Sequence, residues 1–128
     1  MGAWGIHFDE CDGALDFLGD IADSRDWADV EARIAGFVAD GGYEDAEEAI
    51  AALELVAVAL GRPSPRLSAE LADWARGHAS QAASLKQKSI EAADIVASQS
   101  ELSELWAEAE EGADWQATIA DLKSRLEV

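Results

Sequence analysis

The sequence has 128 residues, of which 49% are hydrophobic, and this length suits a single domain with a buried core. Nine Lys and Arg residues stand against 27 Asp and Glu residues, so the formal net charge is −18 at pH 7. This charge disfavours any partner held through phosphates, and we expect no nucleic acid and no membrane as partner. A single cysteine, Cys11, excludes a disulfide scaffold.

The N-terminal residues lack the basic start and the apolar run of a signal peptide. The longest apolar stretch, residues 49–60, is interrupted by Glu54 and is too short to cross a bilayer as a helix. We therefore expect a cytoplasmic protein. We also expect no cofactor and no enzyme activity, because the sequence contains no Gly-rich phosphate loop, zinc-protease helix, serine elbow or complete catalytic set.

Helical periodicity dominates the first half of the chain, after a short non-helical segment of about residues 1–11. Asp12 is a suitable N-cap for a first helix. Residues 24–26 form a break, and Gly41 with Gly42 ends a second helix. The predicted apolar faces are Ala14, Phe17, Leu18 and Ile21 in the first helix, and Trp27, Val30, Ile34, Phe37 and Val38 in the second.

A third helix is predicted to be central. Glu44 to Glu48 place negative charge at its N-terminus, where the helix dipole favours it. From Ala49 to Leu60 the helix is apolar on nearly all sides, which is typical of a buried helix. Gly61 is its expected C-terminal cap.

The second half of the chain predicts further helices. Ser68 is a suitable cap for a fourth helix, and residues 81–98 permit a fifth. Ser98 and Glu101 have the spacing of a capping box for the helix that follows.

Gly112 is predicted to break that helix, and Asp114 to cap a final one. The apolar face of the final helix is Trp115, Ile119, Leu122 and Leu126. No strand-like alternation runs for more than a few residues. The prediction is therefore an all-α fold, a single compact bundle of about six helices around Ala49–Leu60.

Several stretches together resemble a bacterial family known as domain of unknown function 4259. The most specific are Met1–Gly5, with its Trp-Gly pair, and the helix start Ala14–Leu18. Two later stretches are also similar to the family pattern: residues 57–65, and residues 100–106 with the Trp115 that follows them. The family carries no established activity. The resemblance therefore supports the fold and the location of the protein more than its function.

Within the N-terminal motif of that family, the positions of interest are Trp4, Gly5, Asp12 and Asp16. The sequence departs from the family pattern at two nearby positions, with Cys11 in place of the usual Asn and His7 in place of a usual Gly. A role that depends on the Asn is therefore not carried over to this chain.

The N-terminal turn is also a candidate metal site. Its ligands would be His7, Asp9, Glu10, Asp12 and Asp16, since several carboxylates and an imidazole are suited to a divalent ion. The alternative is an acidic turn that only caps the first helix. Cys11 with His7 is disfavoured as a nucleophile pair, because neighbouring carboxylates raise a thiol pKa.

The aromatic and histidine residues have mainly structural interpretations. Four tryptophans fall on apolar helical stripes and are predicted core residues: Trp27, Trp74, Trp106 and Trp115. Trp4 either fills a groove between helices or lines a recognition surface. His78 is interpreted as a surface or capping residue at a helix end.

The acidic surface is uneven, with a net charge of −12 in residues 1–64 and −6 in residues 65–128. The candidate docking face consists of Asp20, Asp23, Asp26, Asp29, Glu31, Glu44, Asp45, Glu47 and Glu48. It is either a solvated, solubilising face or a surface for a basic protein, as in immunity proteins and antitoxins.

Three functions remain open at this stage. The first is a non-catalytic interaction module that docks a basic partner protein through the acidic face. The second is a divalent-metal or small-ligand protein that uses the N-terminal turn. The third is a structural homo-oligomer subunit, which the apolar surplus of the third helix permits.

Overall fold

The computed structural model describes residues 5–127, and this range contains helices and no β-strand. One turn of 3₁₀ helix, Phe8–Glu10, lies within the segment that was predicted to be non-helical. Seven α-helices follow: α1 (Asp12–Ser24), α2 (Trp27–Ala39), α3 (Ala46–Ala59), α4 (Ala69–Arg76), α5 (Ala79–Gln99), α6 (Glu101–Ala107) and α7 (Gly112–Leu126). The all-α prediction is confirmed, with seven α-helices in this range where about six were expected.

Helix α3 forms the centre of the bundle, as predicted for Ala49–Leu60. It packs against each of the other six α-helices. Every residue from Ala49 to Ala59 is buried, including the acidic Glu54. A helix that is apolar on all sides needs a partner on each side, and the six surrounding helices supply these contacts.

The predicted break at residues 24–26 and the predicted caps Ser68 and Gly61 are observed as expected. Asp26 caps α2 by accepting a hydrogen bond from the main-chain N–H of Ala28, at 3.0 Å. Ser68 caps α4 through the N–H of Leu71, at 3.3 Å. Gly61 follows α3 with a φ of +90°, a conformation that glycine adopts at little cost.

The prediction that Asp12 caps α1 is wrong. Asp12 is the first residue of the helix, and the N-cap position belongs to Cys11, whose side chain makes no capping hydrogen bond. The acceptor comes instead from another helix, because Glu47 Oε1 of α3 lies 2.9 Å from the main-chain N of Gly13. A long-range contact of this kind leaves no local sequence signal.

The predicted capping box at Ser98 and Glu101 is also wrong. Ser98 lies inside α5, where its hydroxyl donates to the carbonyl of Asp94 at 2.8 Å. The cap of α6 is the buried Ser100, whose Oγ accepts from the N–H of Ser103 at 3.0 Å. Helix α5 is therefore longer than its weak apolar pattern indicated.

The predicted break between the last two helices lies too far along the chain. Helix α6 already ends at Ala107, and Gly112 begins α7, so Asp114 lies in the first turn of α7 and does not cap it. The carbonyl of Trp106 lies where a Cβ of residue 112 would be, which explains the glycine. The predicted apolar face of the last helix is buried: Trp115, Ile119, Leu122 and Leu126.

Candidate functional site

In the N-terminal turn, the Cys11 side chain contacts the main chain of His7 and not its imidazole ring. The Cys11 thiol donates to the carbonyl oxygen of His7, with an Sγ···O distance of 3.6 Å. Burial raises the pKa of the thiol to about 12, and the charges of neighbouring carboxylates, Glu47 first, add to the rise. Cys11 is therefore held as a protonated thiol, which is the opposite of what a nucleophile needs.

The five residues of the alternative metal site do not come together around one point. Asp9 binds the guanidinium of Arg66, and Glu10 accepts from the main-chain N–H of His7 at 3.3 Å. Asp12 and Asp16 are exposed on α1. Within residues 5–127, no three His, Cys, Asp or Glu side chains are grouped so as to hold a metal ion.

The other positions of the N-terminal motif have structural surroundings. Gly5 packs against the carboxylate of Glu10, which occupies the space that a Cβ at position 5 would need. Trp4, the position with two interpretations, lies outside the described residues. In the described part, the motif therefore forms the entrance to α1.

The acidic residues converge at one place that sequence alone did not define. An open groove of about 400 Å³ lies between α1, α2 and α3, with Phe17, Ile21 and Ala32 as its apolar part. Asp20 from α1, Asp29 from α2 and Glu48 from α3 line it, together with Arg33. We call these four charged residues and their apolar neighbours the acidic groove.

Arg33 shows how a cation is held in the acidic groove. Its Nη1 lies 3.6 Å from Glu48 Oε1 and 3.7 Å from Asp45 Oδ2, and its side chain is 22% exposed. One turn earlier on α2, Asp29 Oδ2 accepts only from the hydroxyl of Ser24, at 3.0 Å, and Asp20 on α1 makes no hydrogen bond with the described residues. Acidic oxygens thus remain after Arg33 is paired.

A second depression adjoins the acidic groove and shares Glu48 with it. Asp45, Glu47 and Glu101 line this depression beside Leu102 and Leu105. The remaining candidates lie outside both depressions: Asp23, Asp26, Glu31 and Glu44. The predicted face is therefore divided into a convergent part and a dispersed part.

A further cavity, which is open to solvent on one side, was not predicted. It has a volume of about 350 Å³ and lies between the 3₁₀ turn, α3 and α7. Glu54, 5% exposed, lines it and forms a two-pronged ion pair with Arg125, with N···O distances of 2.8 and 3.1 Å. An isolated acid inside an apolar helix was the available signal, because a buried carboxylate needs a charged partner.

The ion pair has opposing influences on its two pKa values. Burial raises the pKa of Glu54, and the hydrogen bonds and charge of Arg125 offset only part of that rise. For Arg125, burial opposes the charged form, but the hydrogen bonds with Glu54 and Asp121 outweigh it and raise the pKa. Arg125 is therefore cationic at all physiological pH values.

The tryptophan predictions are largely confirmed. Trp27, Trp106 and Trp115 are buried, and Trp74 is partly buried against the core. His78 occupies the N-cap position of α5, as expected for a helix end, but its ring also stacks on Trp27 with centroids 5.0 Å apart. This histidine is thus part of an aromatic cluster.

The fold and these sites define a small acidic all-α protein with an acidic groove and a separate cavity beside α7. Residues 2–118 match the family described as Domain of unknown function (DUF4259), so the chain belongs to that family. No curated protein and no solved structure matches the chain significantly. None of the helices within residues 5–127 is both long and apolar enough to cross a membrane.

Proposed function

We propose that this protein is a non-catalytic interaction module of the cytoplasm that docks a basic partner protein through the acidic groove. The observation that carries the proposal is the convergence of Asp20, Asp29 and Glu48, which come from three different helices. Carboxylates fixed on rigid helices keep their arrangement before the partner arrives, and this lowers the cost of binding.

Arg33 supports the proposal as an internal example of the expected contact. Its guanidinium lies near Asp45 and Glu48 while Asp20 and Asp29 keep free acceptor atoms. A Lys or Arg of a partner would approach these free oxygens, with Phe17 and Ala32 packing against its aliphatic stem. The net charge of −18 would accelerate the encounter and make it sensitive to salt.

The mode of action we propose is inhibitory masking, as in immunity proteins and antitoxins. A compact acidic domain that covers a basic surface blocks whatever that surface binds, and it needs no chemistry of its own. The acidic groove lies on α1–α3, which is also the half of the sequence with the larger net charge.

The test is capture of partners from a lysate of the source organism on tagged protein, with a charge-reversed variant beside the wild type. Asp20→Lys with Asp29→Lys reverses two groove residues that form no ion pair with the described chain. Glu108→Lys with Glu110→Lys makes the same change of net charge after α6. Circular dichroism and melting curves check that both variants fold.

We expect wild type and the Glu108/Glu110 variant to retain one stoichiometric basic protein, which the Asp20/Asp29 variant loses. Raising the salt concentration should weaken the capture, because exposed charges are screened. Equal capture by both variants would refute the acidic groove as the docking site. A homo-oligomer, the rival interpretation, would instead appear as a dimer of the pure protein in light scattering.

A further inference from the structure

The partly open cavity beside α7 has the walls of a small-molecule site. Its apolar lining comes from Ile6, Phe8, Ile50, Trp115, Ile119 and Leu122. Its volume of about 350 Å³ lies within the range of ligand pockets, roughly 300–1,000 Å³. These aromatic and branched aliphatic side chains form an apolar part of the wall, and this part favours an apolar body over a polar one.

The charged groups that line the cavity do not balance once Asp9, which lies outside the lining but binds Arg66, is counted with them. Arg125 binds Glu54 through Nη1 and Nη2 and also donates from Nε to Asp121 Oδ2, at 2.9 Å. Arg66 is occupied by both carboxylate oxygens of Asp9, at 2.8 and 3.0 Å. Three carboxylates thus share two guanidinium groups, and one negative charge is left over.

Asp121 is the place where that charge is accessible. Its side chain is 66% exposed and lines the cavity, whereas the side chain of Glu54 is 6% exposed. Its Oδ1 accepts no hydrogen bond from any residue between 5 and 127. An anionic ligand would be repelled here, and a neutral hydroxyl could donate a hydrogen bond to this oxygen but would not form an ion pair with it.

We propose that the cavity binds a small organic ammonium ion, whose apolar body fills the space lined by Trp115 and Ile119 and whose charged nitrogen pairs with Asp121. Glu54 also lines the cavity, but both of its carboxylate oxygens are already paired with Arg125, which leaves Asp121 as the partner for the ammonium group. Trp115 and Phe8 supply aromatic surface for the body of the ligand. This site is separate from the acidic groove and does not depend on the docking function.

The experiment uses three probes of similar shape. 2-Phenylethylamine carries the ammonium group, 2-phenylethanol is its neutral counterpart, and 3-phenylpropionate is an anionic one. Isothermal titration and thermal melting measure binding to the full chain. We expect saturable binding of the amine with an increase in Tm, at least tenfold weaker binding of the alcohol, and none of the acid.

Two pairs of variants separate this site from general attraction of cations to an acidic protein. Asp121→Asn should weaken amine binding about tenfold, while Asp114→Asn, an equal loss of charge on α7, should leave it unchanged. Ala117 and Ala120 are both exposed on α7, but only Ala117 lines the cavity, so Ala117→Trp should abolish binding and Ala120→Trp should not.

Four outcomes would overturn the proposal. They are no saturable binding of the amine, equal binding of the alcohol, equal effects of Asp121→Asn and Asp114→Asn, and binding that survives Ala117→Trp. A fifth variant, Trp4→Ala, addresses an internal occupant. If the amine binds only after this substitution, the cavity belongs to the chain's own N-terminal segment and not to an external ligand.

Discussion

The main-chain N–H of Gly13 donates a hydrogen bond to Glu47 Oε1 at 2.9 Å, and this bond joins the first turn of α1 to the first turn of α3. The first amides of a helix have no partner within it, so α1 takes one from a neighbouring helix. A Cβ at position 13 would lie 2.8 Å from the same oxygen. The close approach of the two helix starts therefore depends on a glycine.

Removal of this carboxylate should destabilise the fold although Glu47 belongs to the predicted docking face. We expect Glu47→Ala to lower the free energy of unfolding by about 1–2 kcal/mol, since the Gly13 amide loses its acceptor. Urea unfolding measures the change. Glu44→Ala, which removes an exposed carboxylate without such a bond, is the control and should have little effect. Equal effects of the two variants would show that the bond contributes nothing.

The buried ion pair predicts a stability change that depends on pH. Arg125→Met leaves Glu54 without its cation, and we expect a loss of about 3–5 kcal/mol at pH 7. Without Arg125, only the influences that raise the Glu54 pKa remain, which are burial first and then the charges of Asp121 and Asp9. Because the folded state then binds this proton more readily than the unfolded state, stability falls as pH rises above the ordinary value of 4.5.

The loss in Arg125→Met should therefore shrink when the pH is lowered from 7 towards 5, as followed by denaturant unfolding. Replacing both partners, Glu54→Leu with Arg125→Met, should recover most of the stability, because no buried charge remains. Arg76→Met, which removes an exposed pair with Asp73, should have little effect at either pH. A pH-independent loss in Arg125→Met would contradict the account given for Glu54.

Two adjacent glycines after α2 allow backbone strain to be separated from steric clash. Gly41 and Gly42 have φ values of +81° and +78°, so a side chain is strained at either position. Nothing lies within 4 Å of a Cβ at Gly41, whereas a Cβ at Gly42 would clash with Ile95 and approach Phe37. We expect Gly41→Ala to cost about 1 kcal/mol and Gly42→Ala about 1–3 kcal/mol more.

Thermal or urea unfolding of the two variants tests this difference. Ile95→Ala in the Gly42→Ala background removes the clashing methyl group and should restore part of the loss. Equal destabilisation of the Gly41→Ala and Gly42→Ala variants would show that Ile95 can move away from the new Cβ without a loss of stability.

The raised pKa of Cys11 predicts slow chemical modification of the native protein. At pH 8, a pKa of about 12 in place of 9.0 leaves about a thousandfold less thiolate, and burial of the sulfur slows attack further. Reaction with a disulfide reagent should therefore be at least a hundredfold slower in buffer than in guanidinium chloride. Rates within tenfold of each other would contradict this description of the N-terminal turn.

Helix α3 and α7 show which parts of the fold could be predicted from sequence. The run Ala49–Leu60 has no polar face, so any helix it forms must be surrounded, and α3 is at the centre. In the last helix, Trp115 and Ile119 recur at helical spacing and both are buried. These predictions succeeded because the information lies within a few turns of one helix.

The errors and omissions have a different origin. Asp12 satisfies the local rule for a cap, yet the acceptor at the start of α1 is Glu47, which belongs to a distant helix. Ser98 satisfies the same rule, yet α5 continues past it to Gln99, and Ser100 is the residue that caps α6. Glu54 was visible only as an interruption of an apolar run. Nothing in the spacing of the chain connects it to Arg125, which lies 71 residues away.

The sequence by itself determined the all-α class, the central helix, the excess of acids in the first half and the membership in its family. These properties follow from composition and from periodicity within single helices. Only the tertiary structure decided that Asp20, Asp29 and Glu48 share a groove and that Asp121 lies at a cavity with Glu54 and Arg125. Both sites are formed between helices, and their positions depend on packing angles and contacts that no local pattern records.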